Sequence, residues 1–498
     1  MRSVPSELRD SLFEIRHSRL RPRSQGGARA RPSPDLRSIA LARICVINVA
    51  GLSCRLLGRQ GGLWVQSLAA RPRPMLATFP SVAASVQTSM TTGVAPGLHG
   101  VVAGGVFRRQ QCSVGLDERS NTLLSKKRFW HSRRLPRRPS VGLVFWSNPL
   151  AGAADAVIGA ATYAPSSQLI ADFPAGLYER VARSAGRFDP AWVRGPGAGW
   201  RASKWIAQAA EFLWREAAPD LLWVYLPGVN FEATRHGLES PQVASALREV
   251  DALAAELAGT VSASGGRTLL VSDGGYVPVR RPAFPNDALR RAGLLVTKST
   301  PDGAVTDLEQ SRAFAMVDHQ IAHVYCRDES AAREAEAAIA PLDGVAAVRR
   351  PEELFCEGPG RQRAGERIVL AEADAWLAYP WWGGEEPPAI ARQADVAGKC
   401  GYDPCELFAG PGEGTIDPRP ELVKSSRGLC DVPAEDQCVL AADRELTLPT
   451  SSEAETASPR AGRMPAIRTG KMPVLRVTDV PEIVKEALFG AAVVGATG

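Results

Sequence analysis

The sequence predicts an α/β protein in which a largely parallel sheet lies between helices, with a smaller α+β insertion. Short aliphatic runs alternate with amphipathic helical stretches, the pattern of strands covered on both faces. Three of those runs lead into polar residues at what would be one edge of the sheet: Asn48, Asn230 and Asp273. In open parallel sheets ligands bind outside the carboxyl ends of the strands. Turns favour the same residue types, so position alone leaves a ligand-binding edge and plain turn chemistry both open. A chain of 498 residues is long enough to bury one large core with appendages.

The elements follow in order. Residues 1–42, rich in Arg, Ser, Pro and Gly, read as a disordered basic extension. Ile44-Cys45-Val46-Ile47 is a β-branched run closing at Asn48, as in a buried parallel strand. Val141–Trp146 is a second apolar run. Residues 203–217 place Trp205, Ile206, Ala209, Phe212 and Leu213 on one helical face, with Ser203 as the cap. Leu221–Leu226 is a strand that runs out at Pro227-Gly228-Val229-Asn230. A helix then starts after Ser240-Pro241 and is expected to stop at Gly259. Thr268–Val271 is the next strand, ending at Ser272-Asp273-Gly274. Ala331–Ala340 is an Ala/Glu helix that, with two short strands, makes a small insertion at about 327–372. Past residue 409 the chain turns Pro-, Gly-, Ser- and Glu-rich and reads as a mostly disordered, low-complexity tail to 498, with one short helix at Val480–Phe489.

The stretch Phe79–Gly105 organises the rest. Pro80 and the Ser81–Ser85 region open a helix that Gly93 closes, and a helix N-terminus favours an anion such as phosphate. Pro80, Thr92-Gly93 and Pro96-Gly97-Leu98-His99-Gly100 together resemble the nucleophile segment of the type I phosphodiesterase/nucleotide pyrophosphatase family, in the alkaline phosphatase superfamily. The resemblance runs from about Arg43 to about Phe408, which makes 43–408 the family-like domain. It implies an alkaline-phosphatase-like three-layer sandwich. It also implies a phosphoric ester hydrolase with two divalent metals, usually zinc, and a threonine nucleophile.

Carried over position by position, the resemblance puts the nucleophile on Ala83, whose methyl cannot attack phosphorus. Ser81 and Ser85 flank it, but two residues along the backbone is several ångströms, where catalysis tolerates about 1 Å. The metal-ligand positions fall on Asn48, Asn230, Thr234, Asp273 and Gly274, with a late histidine position near Ala397. Asp318 and His319, in a triplet with Gln320, are further candidate ligands. His323 follows His319 by four residues, about 13 Å along an extended strand, and reads as structural. Thr92, Gly93 and His99 are the substrate-side candidates. One clear carboxylate, Asp273, and neutral amides offset two dications poorly. The expectation is a hydrolase fold with reduced or lost activity. The alternative is a pseudoenzyme or an interaction protein that binds phosphate or nucleotide.

The charge balance excludes some partners. Residues 1–43 hold ten arginines and four acids, a net of +6, so the rest of the chain is neutral and does not read as a nucleic-acid-binding body. The basic run Arg108–Arg138 has few interleaved aromatics and reads as a solvated face. Nine cysteines without a C-x-x-C argue against a disulfide framework or a cysteine zinc site. No apolar run reaches membrane-span length and residues 1–40 lack the apolar centre of a secretory signal, so a cytoplasmic location is expected.

Overall fold

The computed structural model describes residues 41–116, 119–164, 167–301, 303–394, 399–444 and 475–490. The basic extension up to residue 40 and the Ala397 position lie outside them. In chain order the strands are β1 (Ile44–Val49), β2 (Ala70–Met75), β3 (Val141–Val144), β4 (Ala156–Ala164), β5 (Ser167–Phe173), β6 (Leu221–Leu226), β7 (Arg267–Val271), β8 (Ala313–Asp318), β9 (Ile321–Cys326), β10 (Val345–Arg349), β11 (Arg367–Ala371) and β12 (Cys438–Ala442). The helices that matter here are α1 (Ala83–Thr92), α2 (Leu177–Ala185), α3 (Trp200–Glu216), α4 (Gly228–His236), α5 (Pro241–Ala263), α6 (Glu329–Ile339) and α7 (Val480–Phe489).

Eight strands form the main sheet in the order β2-β12-β7-β1-β6-β3-β4-β5. The five from β7 to β4 run parallel, and β12 and β5 pair antiparallel to them. Alternation along β1 explains the three layers. Cys45, Ile47 and Val49 enter one core with Leu213 of α3 and Val250 of α5. Ile44 and Val46 enter the other with Val86 and Met90 of α1 and Ile483 of α7. A strand buried on both faces must be apolar throughout, as this one is up to Asn48. Each such aliphatic side chain contributes about 1.5–3 kcal/mol by burial. This is the largely parallel sheet between two helical layers that the sequence predicts.

Five expectations shift. Ser203 is not a cap: α3 begins at Trp200 after Gly199, and the buried Ser203 Oγ accepts from the Gly228 N–H at 2.9 Å, tying α3 to α4. Gly259 does not stop α5, which runs on to Ala263 because Leu257 and Val261 stay on its buried face. That burial outweighs the roughly 1 kcal/mol a helical glycine costs. The insertion begins earlier than 327: β8 and β9 already belong to the second, antiparallel sheet, ordered β8-β9-β11-β10 with α6 packed against it. The tail beyond 409 is structured in part. β12 lies between β2 and β7, Ser425–Ser426 pairs with Val277–Pro278, and α7 covers one face of the sheet. A five-residue buried strand is too short to stand out from polar surroundings, yet it closes an edge that β7 would otherwise leave unpaired. Arg128, read as part of a solvated run, is buried instead and donates to Thr91 Oγ1 and to the Ser147 and Asn148 carbonyls.

Candidate functional site

The parallel strands β1, β6 and β7 end along one edge, and α1 starts there. Its N-cap is Val82, which supplies no side-chain hydrogen bond. The first helical residues, Ala83 and Ala84, face a cavity of about 290 Å³. Gln87, one turn further on, lines the same cavity, as do Tyr225, Tyr276, His319, Tyr402 and Arg427 from other segments.

The charge at its floor is a guanidinium. Arg427 Nη1 donates to Asp273 Oδ1 at 3.0 Å. Both side chains are out of solvent, at 4% and 0% exposure. Burial alone would lower the Arg427 pKa, but Tyr276 and Asp273 beside it outweigh that and raise it, so it stays charged. The guanidinium also stands 5.2 Å from the Tyr276 ring centre. Asp273 Oδ2 accepts from Gln87 Nε2 at 3.1 Å. The Gln87 amide orientation follows from its other end, where Oε1 accepts from the Ser147 N–H and Oγ at 2.9 and 2.8 Å. Arg427 is clamped through its backbone: its carbonyl accepts from the Gln320 N–H, and the Gly428 carbonyl accepts from the Ser81 N–H, each at 2.9 Å.

The second charged group is Asp318 with His319. β8 and β9 form a hairpin whose two turn residues are His319 and Gln320, and His319 takes φ 63°, a region His tolerates better than most residues. Asp318 Oδ2 accepts from the Gly104 N–H at 2.7 Å, and Oδ1 meets His319 Nδ1 at 2.6 Å. Burial would raise the Asp318 pKa, but the His319 and Gly104 hydrogen bonds outweigh it and hold the carboxyl below its usual range. Burial pushes the His319 pKa down. The imidazole lies flat on Tyr402, centroids 4.2 Å apart, and edge-on to Tyr276.

The other sequence candidates divide. Asn230 lines the cavity. Asn48 lies at the end of β1, fully buried on the α1 side, and neither polar atom of its amide has a partner among the described residues. Ser85 is buried in α1 and is not part of the cavity wall. Thr92 and Gly93 sit at the far end of α1, about 15 Å from Ala83 by helix length. There Thr92 Oγ1 donates to the Thr88 carbonyl and Gly93 caps the helix at φ 74°. His99 is not part of the cavity wall: Nδ1 accepts from the Val101 N–H and Nε2 donates to Ser89 Oγ. Burial drives its pKa down to about 3. His323 is likewise structural, held between the Gly365 N–H and the Val102 carbonyl. His236 pairs with Glu232 on the α4 surface. Arg427 and Gln87 escaped the sequence reading. Gln87 follows Ala83 by one helical turn, a spacing that marks a shared face. Arg427 carries no local signal.

The two divalent metals that the resemblance implies do not fit these residues. Each oxygen of Asp273 already accepts an N–H, Asn48 and Asn230 are neutral, and Gly274 has no side chain. Among the described residues no group of three or more His, Cys, Asp or Glu side chains is placed to hold a metal ion. Two unit charges at 4 Å repel by about 4 kcal/mol at an effective dielectric of 20, and a dication near Arg427 doubles that.

A family model for type I phosphodiesterase / nucleotide pyrophosphatase matches residues 45–403; Arg427 lies beyond its end. No curated protein matches the chain by sequence. Among solved structures, phosphonoacetate hydrolase from Sinorhizobium meliloti 1021 bound to phosphonoformate is similar at TM-score 0.53 and 14% identity, over 92% of this chain and 96% of that one. Murine ectonucleotide pyrophosphatase/phosphodiesterase 5, as an inactive threonine-to-alanine variant with AMP, is similar at TM-score 0.55 and 12% identity, over 90% and 94%. Both likenesses concern the fold.

Proposed function

The chain belongs to the type I phosphodiesterase/nucleotide pyrophosphatase family, and from that premise we propose that it binds a phosphate ester or nucleotide oxyanion without two-metal hydrolysis. The observation that carries this reading is the Arg427–Asp273 pair: a fixed monovalent cation occupies the carboxylate that the resemblance assigns to metal. The uncapped start of α1 adds backbone N–H donors at the cavity wall. Ala83 at that start removes the expected nucleophile. The murine neighbour supports reading Ala83 as compatible with nucleotide binding, since that protein with alanine for threonine is inactive and holds AMP.

The test is hydrolysis of a generic phosphodiester with added zinc or manganese, alongside metal analysis, for the wild type and Ala83→Thr. Neither protein is expected to turn over or to hold stoichiometric metal. Metal-dependent turnover by the wild type would overturn the proposal.

A further inference from the structure

We propose that Arg128, which does not line the cavity, is a positioning residue for its anion: it fixes Arg427 through Ser147, Gln87 and Asp273. This inference rests on reading the cavity as an anion site and adds the device that sets its cation.

Arg128 is 1% exposed. Its Nε donates to Asn121 Oδ1 at 3.1 Å, Nη1 to Thr91 Oγ1 at 2.8 Å, and Nη2 to the Ser147 and Asn148 carbonyls at 2.7 and 3.0 Å. Every one of these acceptors is neutral. Burial pushes the Arg128 pKa down to about 9, and among the described residues no carboxylate offsets it. A buried cation without an anion is a poor source of stability. What a guanidinium does offer there is a rigid fork that holds several acceptors at fixed angles.

The fork holds part of the cavity wall from behind. Phe145, Ser147 and Asn148, just after β3, all line the cavity. Phe145 and Asn148 take φ 56° and 50°, conformations that such residues keep only where their surroundings impose them. The Ser147 N–H and Oγ donate to Gln87 Oε1 at 2.9 and 2.8 Å. Those two donors decide which end of the amide points the other way, so Nε2 is the atom that donates to Asp273 Oδ2 at 3.1 Å. Turned over, the amide would set its oxygen against the carboxylate. Asp273 Oδ1 in turn holds Arg427 Nη1 at 3.0 Å. Arg128 grips Gln87 a second time through Thr91, whose Oγ1 shares its hydrogen between the Gln87 and Thr88 carbonyls, each at 3.1 Å. A continuous path of hydrogen bonds therefore leads from one buried guanidinium to the other.

Arg427 lines the cavity, and its Nε is buried without a partner among the described residues. The cation thus keeps an N–H for an anion, and its placement decides whether that N–H is in reach. The carboxylates of the wall are engaged elsewhere: Asp403 and Glu406 hold Lys399, and Asp318 holds the Gly104 N–H and His319. Arg119 and Arg194 add positive charge to the same wall, so displacing Arg427 weakens anion binding rather than abolishing it.

Isothermal titration of inorganic phosphate into the intact chain at pH 7 tests this, with urea midpoints measured alongside. Arg128→Lys keeps the charge and gives up the fork, and its phosphate affinity is expected to fall about tenfold, the worth of one charge-assisted hydrogen bond. Gln87→Met cuts the same path further on and is expected to cost a similar factor. The double variant is expected to lose no more than either single one, because links in series fail once. Thr91→Val is a milder cut, expected to weaken phosphate about threefold, and it carries the test if Arg128→Lys does not fold. A residue that only stabilised the fold would lower the urea midpoint and leave phosphate affinity where it is. Unchanged affinity in Arg128→Lys or in Thr91→Val, or losses that multiply in the double variant, overturns the positioning role and leaves the anion site standing. Failure of the wild type to bind phosphate overturns the anion site and this inference with it.

Discussion

Replacing Arg427 with methionine removes a cation from a place where its partner has no access to water. Asp273 is fully buried and would keep only the Gln87 Nε2 donor at 3.1 Å. Breaking a buried ion pair at one end costs about 3–5 kcal/mol, because the remaining charge is left uncompensated. The lost contact over Tyr276 is part of the same removal. Against a usual total stability of about 5–15 kcal/mol this is a large fraction. Urea unfolding followed by tryptophan fluorescence reads it, since buried Trp146 and Trp223 pack beside the main sheet. The midpoint should fall with an unchanged slope. Arg427→Met/Asp273→Asn removes the stranded charge as well and should recover about 2 kcal/mol or more. A single variant within about 1 kcal/mol of wild type, or a double variant no better than the single, refutes the ion pair as the centre of this site. So does a rise in the wild-type midpoint with added zinc, since only a ligand of the folded state stabilises it.

Three further outcomes are expected. His99 titrates at about 3 when folded and near 6.5 when unfolded, so the unfolded chain takes up a proton that the folded one refuses. Its contribution is complete above pH 6.5 and is lost as pH falls through that window, at about 1.4 kcal/mol per pH unit; burial shifts His319 and His323 the same way. Urea midpoints between pH 7.5 and 5 should fall accordingly, and less steeply in His99→Gln; an unchanged slope in that variant contradicts the assignment. At Gly274, φ is 119° and an added Cβ would meet Ser81 Oγ at 2.7 Å. Gly274→Ala should therefore destabilise by at least about 1–2 kcal/mol in the same assay, and a neutral result would remove the steric barrier to a side chain at this position. Lys399→Met strands Asp403 and Glu406, which its ammonium now holds at 2.7 and 3.0 Å. A loss of about 3–5 kcal/mol is expected, partly recovered by Lys399→Met/Glu406→Gln; no loss would mean that the pair is solvated.

Periodicity and turn chemistry are local, and they were enough to read the strands β1, β6 and β7, the helices α3 and α5, and the polar strand ends at Asn48 and Asp273. They also placed Ala83 at the opening of a helix facing the site, because Pro80 upstream and Gly93 downstream bracket that helix within a few residues. Helix limits shifted where burial overrode a local breaker, as at Gly259. The short buried strand β12 was missed because five residues in a polar stretch leave no period to detect.

The chemistry of the site was decided over long separations. Arg427 reaches Asp273 across 154 positions, and Gly104 reaches Asp318 across 214. By itself the sequence determined that a sandwich of this family stands here, and the resemblance carried the nucleophile position onto Ala83. Only the tertiary structure decided that a guanidinium holds the Asp273 carboxylate and that Gly104 and His319 meet at Asp318. Both depend on which backbone groups the folded loops bring together, as when Gln320 and Ser81 clamp the chain at the Arg427 and Gly428 carbonyls, and no local spacing encodes that meeting.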